Sequence, residues 1–159
     1  MVPQLVQTGD WGFCEDLKSG YWQIPLNEDH KKLFGCCVDG VYYEANVLIL
    51  GITDAVFAFT VIIRPILRYL RSLGYRCLGY IDDCFGLAAS REGAMLLRQQ
   101  LLEIFRQCGL MVNVSKSKPV SQCPLFLGLH LDTLLRKFII PSDKVDRFLR
   151  EANFLLRNK

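Results

Sequence analysis

Two adjacent aspartates, Asp82 and Asp83, interrupt the apolar residues 78–87 and could do chemistry together. The apolar run on each side predicts a strand, a tight turn and a returning strand, since Asp side chains bond the local backbone in turns. A hairpin tip can hold both carboxylates toward one point, and Mg²⁺ in proteins binds one or two carboxylates together with substrate phosphates. An acidic turn without chemistry is the simpler interpretation, so a third carboxylate at a nearby strand end would decide between the two.

Asp16 is such a carboxylate, because it lies near the end of a strand predicted over residues 13–17. If this strand neighbours the aspartate hairpin, we expect Asp16 and Asp82 to converge on one pair of metal ions. Two metal ions roughly 3.5–4 Å apart hold the attacking and leaving oxygens of an in-line phosphoryl displacement. Polymerases and nucleases both use this arrangement, so the carboxylates alone predict two-metal phosphoryl transfer and leave the substrate open.

Turn residues and apolar runs predict the strands that must position these carboxylates. The pair Asp39-Gly40 predicts a hairpin, because Asp-Gly fits the positive φ angles of a two-residue turn. Besides the strands already mentioned, we predict strands over residues 34–38, 41–48, 110–114, 124–131 and 137–140.

Apolar residues at helical spacing predict two long helices, one from a cap at Thr53 or Asp54 to about Ser72 and one over residues 90–107. A final helix is predicted from residue 142. The residues predicted to face the core are Val56, Phe59, Ile63, Ile66, Leu67 and Leu70 in the first long helix, and Ala94, Leu97, Leu101 and Phe105 in the second. This order predicts an α+β fold, with two helices packed on one face of an antiparallel sheet.

Composition limits the class of protein without choosing a function. The 159 residues are 51% hydrophobic and 22% charged, as in a folded domain, and the net charge of +3 permits an anionic partner. Residues 47–63 carry Asp54 and fall short of the roughly 20 apolar residues that a membrane span needs, so no membrane partner is expected. Seven cysteines without Cys-x-x-Cys spacing predict small buried thiols in a reducing, intracellular compartment, nuclear or cytoplasmic.

Four motifs stand in the order and spacing seen in reverse transcriptases. They are Gly9-Asp10-Trp11, Asp16-Leu17-Lys18-Ser19-Gly20-Tyr21, Tyr80-Ile81-Asp82-Asp83 and Phe126-Leu127-Gly128. Residues 9–131 resemble the reverse transcriptases of retrotransposons, and in particular the tyrosine-recombinase (DIRS-like) group. The resemblance implies a polymerase palm with a ferredoxin-like core and a remnant of fingers over residues 1–140, followed by the first helix toward a thumb over residues 141–159.

The resemblance also implies a metal site. Asp16, Asp82 and Asp83 would be the catalytic carboxylates on Mg²⁺ or Mn²⁺, and the carbonyl of Leu17 would complete one coordination shell. Glu15 departs from the family, which has an apolar residue just before the first aspartate. We expect its charge either to tilt toward solvent or to disturb the strand.

The resemblance implies nucleotide and primer contacts in the same way. Tyr21 would be the bulky gate that excludes a 2′-hydroxyl, Gly51 would let the backbone approach the nucleotide, and Lys116 would lie near the triphosphate. The remaining residues are those of the primer grip: Phe126, Leu127 and Gly128.

The predicted function is therefore an RNA-directed DNA polymerase that transfers nucleotides from dNTP to a primer 3′-hydroxyl on an RNA or DNA template. The missing fingers and thumb would come from flanking sequence of a longer retroelement polyprotein. The alternative is a catalytically inactive palm-fold remnant that binds protein or nucleic acid. A two-metal nuclease is disfavoured, because the motifs at Tyr21 and Phe126 would then be coincidental.

Overall fold

The computed structural model describes residues 2–157 of the chain. Its helices are α1 (Val2–Leu5), α2 (Glu28–Lys31), α3 (Ala55–Ser72), α4 (Arg91–Gln107) and α5 (Ser142–Arg157), with a 3-10 turn at Gly20–Gln23. Its strands are β1 (Trp11–Asp16), β2 (Gly35–Val38), β3 (Val41–Glu44), β4 (Arg76–Tyr80), β5 (Asp83–Ala88), β6 (Leu125–Phe126), β7 (Leu129–Asp132) and β8 (Lys137–Ile139). Helices and antiparallel strands in this order confirm the predicted α+β class.

The central antiparallel sheet has the strand order β1-β5-β4. The hairpin predicted over residues 78–87 is confirmed as β4 and β5. β1 pairs with the other edge of β5, so that Asp16 lies directly opposite Asp83. Because side chains alternate along a strand, β1 places Cys14 and Asp16 on one face of the sheet and Glu15 on the other.

α3 and α4 contact the strands of the central sheet and share its core with the Glu15 face, as predicted. The residues predicted to face inward on α4 are all buried: Ala94, Leu97, Leu101 and Phe105. On α3 the prediction is wrong at Val56, which is 47% exposed, whereas Ala55 is buried. The buried positions of α3 begin at Ala55 and recur at Phe59 and Ile63, and each helical residue turns by about 100°. Val56 is therefore rotated out of the buried stripe.

The opposite face of the central sheet is covered by a second apolar cluster, which the sequence did not predict. Its buried members come from the N-terminal segment, from β4 and β5 and from the C-terminal strands: Val6, Leu78, Phe85, Leu87, Phe126 and Leu131. The rings of Phe85 and Phe126 stack with their centroids 4.6 Å apart. The sheet is thus packed on both faces, except at the end where Asp16 lies.

The single strand predicted over residues 124–131 is wrong. The chain forms a hairpin there, because Leu127 and Gly128 both adopt positive φ angles, 49° and 75°, between β6 and β7. β7 then pairs with β8, which gives a small antiparallel sheet of order β6-β7-β8. This hairpin brings the 127–128 turn to the same end of the molecule as Asp16.

The strand predicted over residues 110–114 is also wrong. The segment makes one isolated bridge to the end of β1, between Leu17 and Val112. It then turns, and the amides of Lys116 and Ser117 both donate to the carbonyl of Asn113, at 3.0 and 3.2 Å. Residues 113–117, which we call the lysine turn, therefore lie against the end of β1.

A buried ion pair fixes the N-terminal segment to the sheet. Asp10 is 1% exposed, and Arg76 of β4 donates to its two carboxylate oxygens at 2.6 Å each. The amide of Gln7 donates to Asp10 Oδ2 at 2.7 Å, and Arg76 also donates to the carbonyl of Leu5 at 2.8 Å. Since β5 separates β1 from β4, this pair joins segments that the sheet itself does not pair.

The turn between β4 and β5 consists of Ile81 and Asp82, since Tyr80 already pairs with Asp83. Ile81 has a φ angle of 56°. A left-handed conformation costs an L-residue about 1–2 kcal/mol, and a β-branched side chain at positive φ is a true outlier. The tip of this hairpin is therefore strained.

The peripheral elements are largely solvent-exposed. The hairpin predicted at Asp39-Gly40 is confirmed as β2 and β3, and none of its strand residues is buried. The final helix is confirmed as α5, and no described residue of it is buried. The prediction of buried thiols is wrong for most cysteines, because only Cys77 and Cys84 are buried, while Cys36 and Cys37 lie in the exposed hairpin. In residues 2–157, no helix is both long and apolar enough to cross a membrane.

Candidate active site

Asp16 and Asp83 are cross-strand partners at the end of the β1–β5 pair. Lys116 of the lysine turn donates a hydrogen bond from Nζ to Asp16 Oδ1 at 2.9 Å. The other oxygen, Asp16 Oδ2, is buried and has no hydrogen-bond partner in the part of the chain that the structure describes. A buried carboxylate oxygen without a partner is unfavourable, so this oxygen is suited to bind a cation.

A cleft of about 360 Å³ opens over these groups, and we call it the carboxylate cleft. It is lined by Cys14, Asp16, Asp83, Ser115, Lys116, Lys118, Leu125, Leu127 and Gly128. Five of these lining residues come from three separate motifs and the lysine turn, and the sequence analysis had singled them out: Asp16, Asp83, Lys116, Leu127 and Gly128. Carboxylates and ammonium groups in one cleft can bind a cation and an anion side by side.

Asp82 lies at the tip of the hairpin, and its charge acts on Asp83 and Lys116 of the carboxylate cleft. It lines a second pocket of about 240 Å³ with Ser19, Gly20, Tyr21, Trp22 and Leu50, which we call the tyrosine pocket. Asp82 lines this pocket because it is a turn residue, whereas Asp83 is already in β5 and pairs with Asp16. The carbonyl of Asp82 accepts a hydrogen bond from the amide of Leu17 at 3.0 Å, which ties the hairpin tip to the end of β1.

Tyr21 separates the tyrosine pocket from the core. Its ring packs against Phe59 of α3, with the centroids 5.2 Å apart and the planes tilted by 43°. Burial, and then the nearby charge of Asp82, raise the pKa of the Tyr21 hydroxyl above its ordinary value. The phenol is therefore neutral near neutral pH.

The surroundings of Asp83 in the carboxylate cleft shift the pKa of its carboxyl group. Burial raises the pKa of Asp83, and the charges of Asp82 and Asp16 raise it further, while Lys116 and Cys14 oppose the shift. Cys14 Sγ lies 3.9 Å from Asp83 Oδ1. Sequence reasoning missed Cys14 as a lining residue, although the two-residue period of a strand places it on the same face as Asp16.

We expect Asp83→Asn to raise the melting temperature at pH 7 and to have no such effect at pH 3. A raised pKa means that the folded state binds the proton more tightly, so the contribution of Asp83 to stability falls as pH rises from the unfolded to the folded pKa. Above that window the ionised group destabilises the fold, and Asn removes this repulsion. The measurement is thermal unfolding at both pH values, with the exposed Asp146→Asn as the control. A lower melting temperature for Asp83→Asn at pH 7 would contradict the assignment.

Three other residues from the sequence lie beside these cavities and do not line them. Gly51 is exposed with a φ angle of 95°, next to Leu50 of the tyrosine pocket. Phe126 is 5% exposed and packs in the second apolar cluster, so it supports the 127–128 turn from beneath. Leu17 is 1% exposed and packs in the main core.

Glu15 corrects a specific expectation. It neither points to solvent nor disturbs β1, because it is 0% exposed and stays in register opposite Cys84. Arg98 of α4 donates to Glu15 Oε1 at 2.5 Å, and the hydroxyl of Ser117 donates to Oε2. The charge is therefore buried and paired, a solution that depends on α4 and the lysine turn and that local sequence did not reveal.

A family model described as "Reverse transcriptase (RNA-dependent DNA polymerase)" matches residues 4–131. The chain belongs to the reverse transcriptase family. The family named from the four motifs is thus confirmed, while the DIRS-like subgroup stays a prediction. Reverse transcriptases generally use divalent metal ions.

Curated relatives of this reverse transcriptase chain are much longer than it is. The enzymatic polyprotein of Soybean chlorotic mottle virus is 32% identical over 123 residues, which are 76% of this chain and 17% of the polyprotein. The genome polyprotein of Petunia vein clearing virus (isolate Shepherd) is 22% identical over 154 residues, which are 88% of this chain and 7% of the polyprotein. The chain therefore spans less than a fifth of the length of these relatives.

Solved structures share the reverse transcriptase fold. The foamy viral protease-reverse transcriptase in complex with double-stranded DNA superposes with a TM-score of 0.78 at 18% identity, over 89% of this chain and 24% of that one. The same viral protein in complex with an RNA/DNA hybrid gives a TM-score of 0.79 at 17% identity, over 92% of this chain and 19% of that one. These matches confirm the predicted polymerase palm-like fold.

The residues at the site fit a metal only in part. Among residues 2–157, no group of three or more His, Cys, Asp and Glu side chains is arranged to hold a metal ion. Asp16, which carries the buried oxygen without a partner, is nevertheless the cross-strand neighbour of Asp83. Oxygen ligands of this kind are those that Mg²⁺ prefers, so the donor set has the right chemistry.

Proposed function

We propose that this chain is the catalytic palm of an RNA-directed DNA polymerase. It would transfer nucleotides from dNTP to the 3′-hydroxyl of a primer. The observation that carries the proposal is the register of Asp16 opposite Asp83, with Lys116 bonded to Asp16 in the same cleft as the 127–128 turn. Carboxylates for a cation, an amine for a phosphate and a hairpin for the primer are the parts that nucleotidyl transfer needs.

We propose that Asp16, Asp82 and Asp83, with the carbonyl of Leu17, hold Mg²⁺ or Mn²⁺. Bound metal would activate the attacking hydroxyl and neutralise charge on the phosphates. Support comes from the partnerless Asp16 Oδ2 and from the raised pKa of Asp83, which burial and then the charges of Asp82 and Asp16 cause.

Lys116 is proposed to contact the triphosphate. The hydrogen bond and charge of Asp16 raise its pKa, so the amine stays protonated at neutral pH. Its side chain is 62% exposed although it is bonded to Asp16, which leaves the other N–H groups accessible from the cleft. Lys118 lines the same cleft and adds a second positive charge.

Tyr21 is proposed to exclude ribonucleotides, so Tyr21→Val should increase ribonucleotide incorporation by about tenfold or more. The ring fills space between Phe59 and the tyrosine pocket, and a smaller side chain would leave room for a 2′-hydroxyl. A loss of about 1.4 kcal/mol of steric discrimination corresponds to tenfold. Primer extension with dNTP and rNTP in competition measures the ratio.

Tyr21→Phe serves as the matched control for size, because it keeps the ring and removes only the hydroxyl. Unchanged sugar discrimination in Tyr21→Val would assign Tyr21 to the core alone.

The partners proposed are a primer annealed to an RNA or DNA template and a dNTP. Flanking sequence of a longer retroelement polyprotein would supply fingers and thumb, in keeping with the small share of each relative that the chain spans. The DIRS-like subgroup and an intracellular location are part of the same proposal, and they rest on the four motifs and on the free thiols.

The test is primer extension on RNA and DNA templates in Mg²⁺, in Mn²⁺ and in EDTA, for the chain alone and for the longer protein that carries it. Metal-dependent extension on the RNA template supports the proposal. Tight binding of template–primer without any extension by either protein would instead support the inactive binding module.

A further inference from the structure

Glu15 and Asp16 are consecutive residues of β1, and each holds one residue of the lysine turn. Asp16 accepts a hydrogen bond from Lys116 on the cleft side of the strand. Glu15 accepts one from Ser117 on the helix side. The lysine turn therefore straddles the end of β1, with one contact on each face of the sheet.

The backbone strengthens this arrangement. The amide of Asn113 donates to the carbonyl of Asp16 at 2.7 Å, and the amide of Lys116 donates to the carbonyl of Asn113 at 3.0 Å. These bonds fix where the turn begins. The amide of Ser117 closes the turn on the same carbonyl at 3.2 Å, and the hydroxyl of Ser117 then joins this end of the turn to Glu15.

Stability alone gives little reason for a carboxylate at position 15. Replacing a buried ion pair by well-packed apolar residues is often neutral or stabilising, because two charges must be desolvated. Arg98 compensates the charge of Glu15 and is not one of the residues that line the carboxylate cleft. An apolar residue at position 15 would need no partner from Arg98, but it could not accept the hydrogen bond from Ser117.

We propose that Glu15 is a positioning residue, which acts through Ser117 to hold the lysine turn so that Lys116 meets Asp16 in the carboxylate cleft. The role of Arg98 is to make the buried charge of Glu15 tolerable. The inference rests on the proposed function only for its effect on DNA synthesis. The placement of the turn can be tested without it.

Two variants separate positioning from stability. Ser117→Ala removes only the hydroxyl and keeps the ion pair of Glu15 and Arg98. The double variant Glu15→Met with Arg98→Met removes the ion pair but fills its space with adaptable apolar chains, so its melting temperature should stay near that of the parent. Ser72→Ala, at the end of α3, removes a hydroxyl that bonds a backbone carbonyl far from the cleft and is the matched control.

Amide hydrogen exchange is the first measurement, and it needs no activity. In Ser117→Ala and in the double variant we expect the amides of Asn113 and Lys116 to exchange about tenfold faster or more, as for loss of a hydrogen bond to a charged group. Amides of the β4–β5 pair should be unchanged. Exchange in the lysine turn that matches Ser72→Ala in either variant overturns the inference.

Primer extension is the second measurement. Both variants should lower kcat for dNTP addition more than they raise KM for the primer, while the double variant keeps its melting temperature. Full activity in the double variant overturns the inference. If neither the chain nor the longer protein that carries it extends a primer, the proposed function fails, and the exchange experiment still decides whether Glu15 positions the turn.

Discussion

We expect Asp16→Asn to abolish DNA synthesis, with primer extension at least about 10³-fold slower than in the unsubstituted parent protein. Removing one neutral hydrogen-bond donor from a catalytic site already costs about 10²–10³ in kcat. Asp16 is charged, lies opposite Asp83 and carries the partnerless buried oxygen, so its loss should cost more. Asn keeps the shape and can still accept a hydrogen bond from Lys116. Single-nucleotide extension in Mg²⁺ measures the effect.

Asp39→Asn is the matched control for this substitution. It makes the same chemical change in the exposed β2–β3 turn, where the φ angle of Asp39 is 52° and Asn is well tolerated. Its extension rate should equal that of the parent. An Asp16→Asn protein that melts normally and retains more than a tenth of the parent rate would contradict the assignment of Asp16.

Asp10→Asn is expected to lower the free energy of unfolding by about 3–5 kcal/mol, the usual cost of breaking a buried ion pair. Asn cannot replace the paired bonds at 2.6 Å to Arg76, whose side chain is 24% exposed and would keep its charge partly buried. For a domain of this size the melting temperature should fall by roughly 10 °C. Urea unfolding monitored by circular dichroism gives the free energy.

Glu28→Gln provides the comparison, since Lys31 lies 2.6 Å from Glu28, the same distance as in the buried pair. The two basic partners are similarly exposed, at 18% and 24%, whereas the Glu28 side chain is 84% exposed and that of Asp10 only 2%, and a pair whose carboxylate stays in water contributes about 0–1 kcal/mol. The free energy of unfolding should therefore change by less than about 1 kcal/mol. Equal effects of the two substitutions would mean that burial does not set the strength of the Asp10 pair.

The parts of the fold that sequence predicted are those with local causes. The α4 stripe, the β2–β3 turn and the aspartate hairpin each depend on residues close in the chain. The second apolar cluster, which contains Phe85, and the pair of Glu15 with Arg98 each join segments that are distant in the chain. No local pattern encodes them, so they could not be predicted from one sequence.

At the site, too, the sequence predicted which residues come together but not how each one is placed. Asp16, Asp83 and Lys116, which the resemblance singled out, line one cleft. The motifs did not show which aspartate faces Asp16, because a one-residue shift of the turn exchanges the two sides of a strand. The register depends on the turn at Ile81 and Asp82, in which Ile81 has a positive φ angle. Such an angle is rare for a β-branched residue, so the sequence did not predict this turn.

The strain at Ile81 also bears on protein engineering. Gly at this position would relieve about 1–2 kcal/mol of backbone strain, so a screen that selects only for thermal tolerance would favour it. A glycine tip would also let Asp82 and Asp83 sample other orientations, and precise placement is worth orders of magnitude in rate. Thermostable versions of this palm are better sought on the exposed apolar face of α5, where Phe148 and Leu149 are 68% and 51% exposed, than at the hairpin tip.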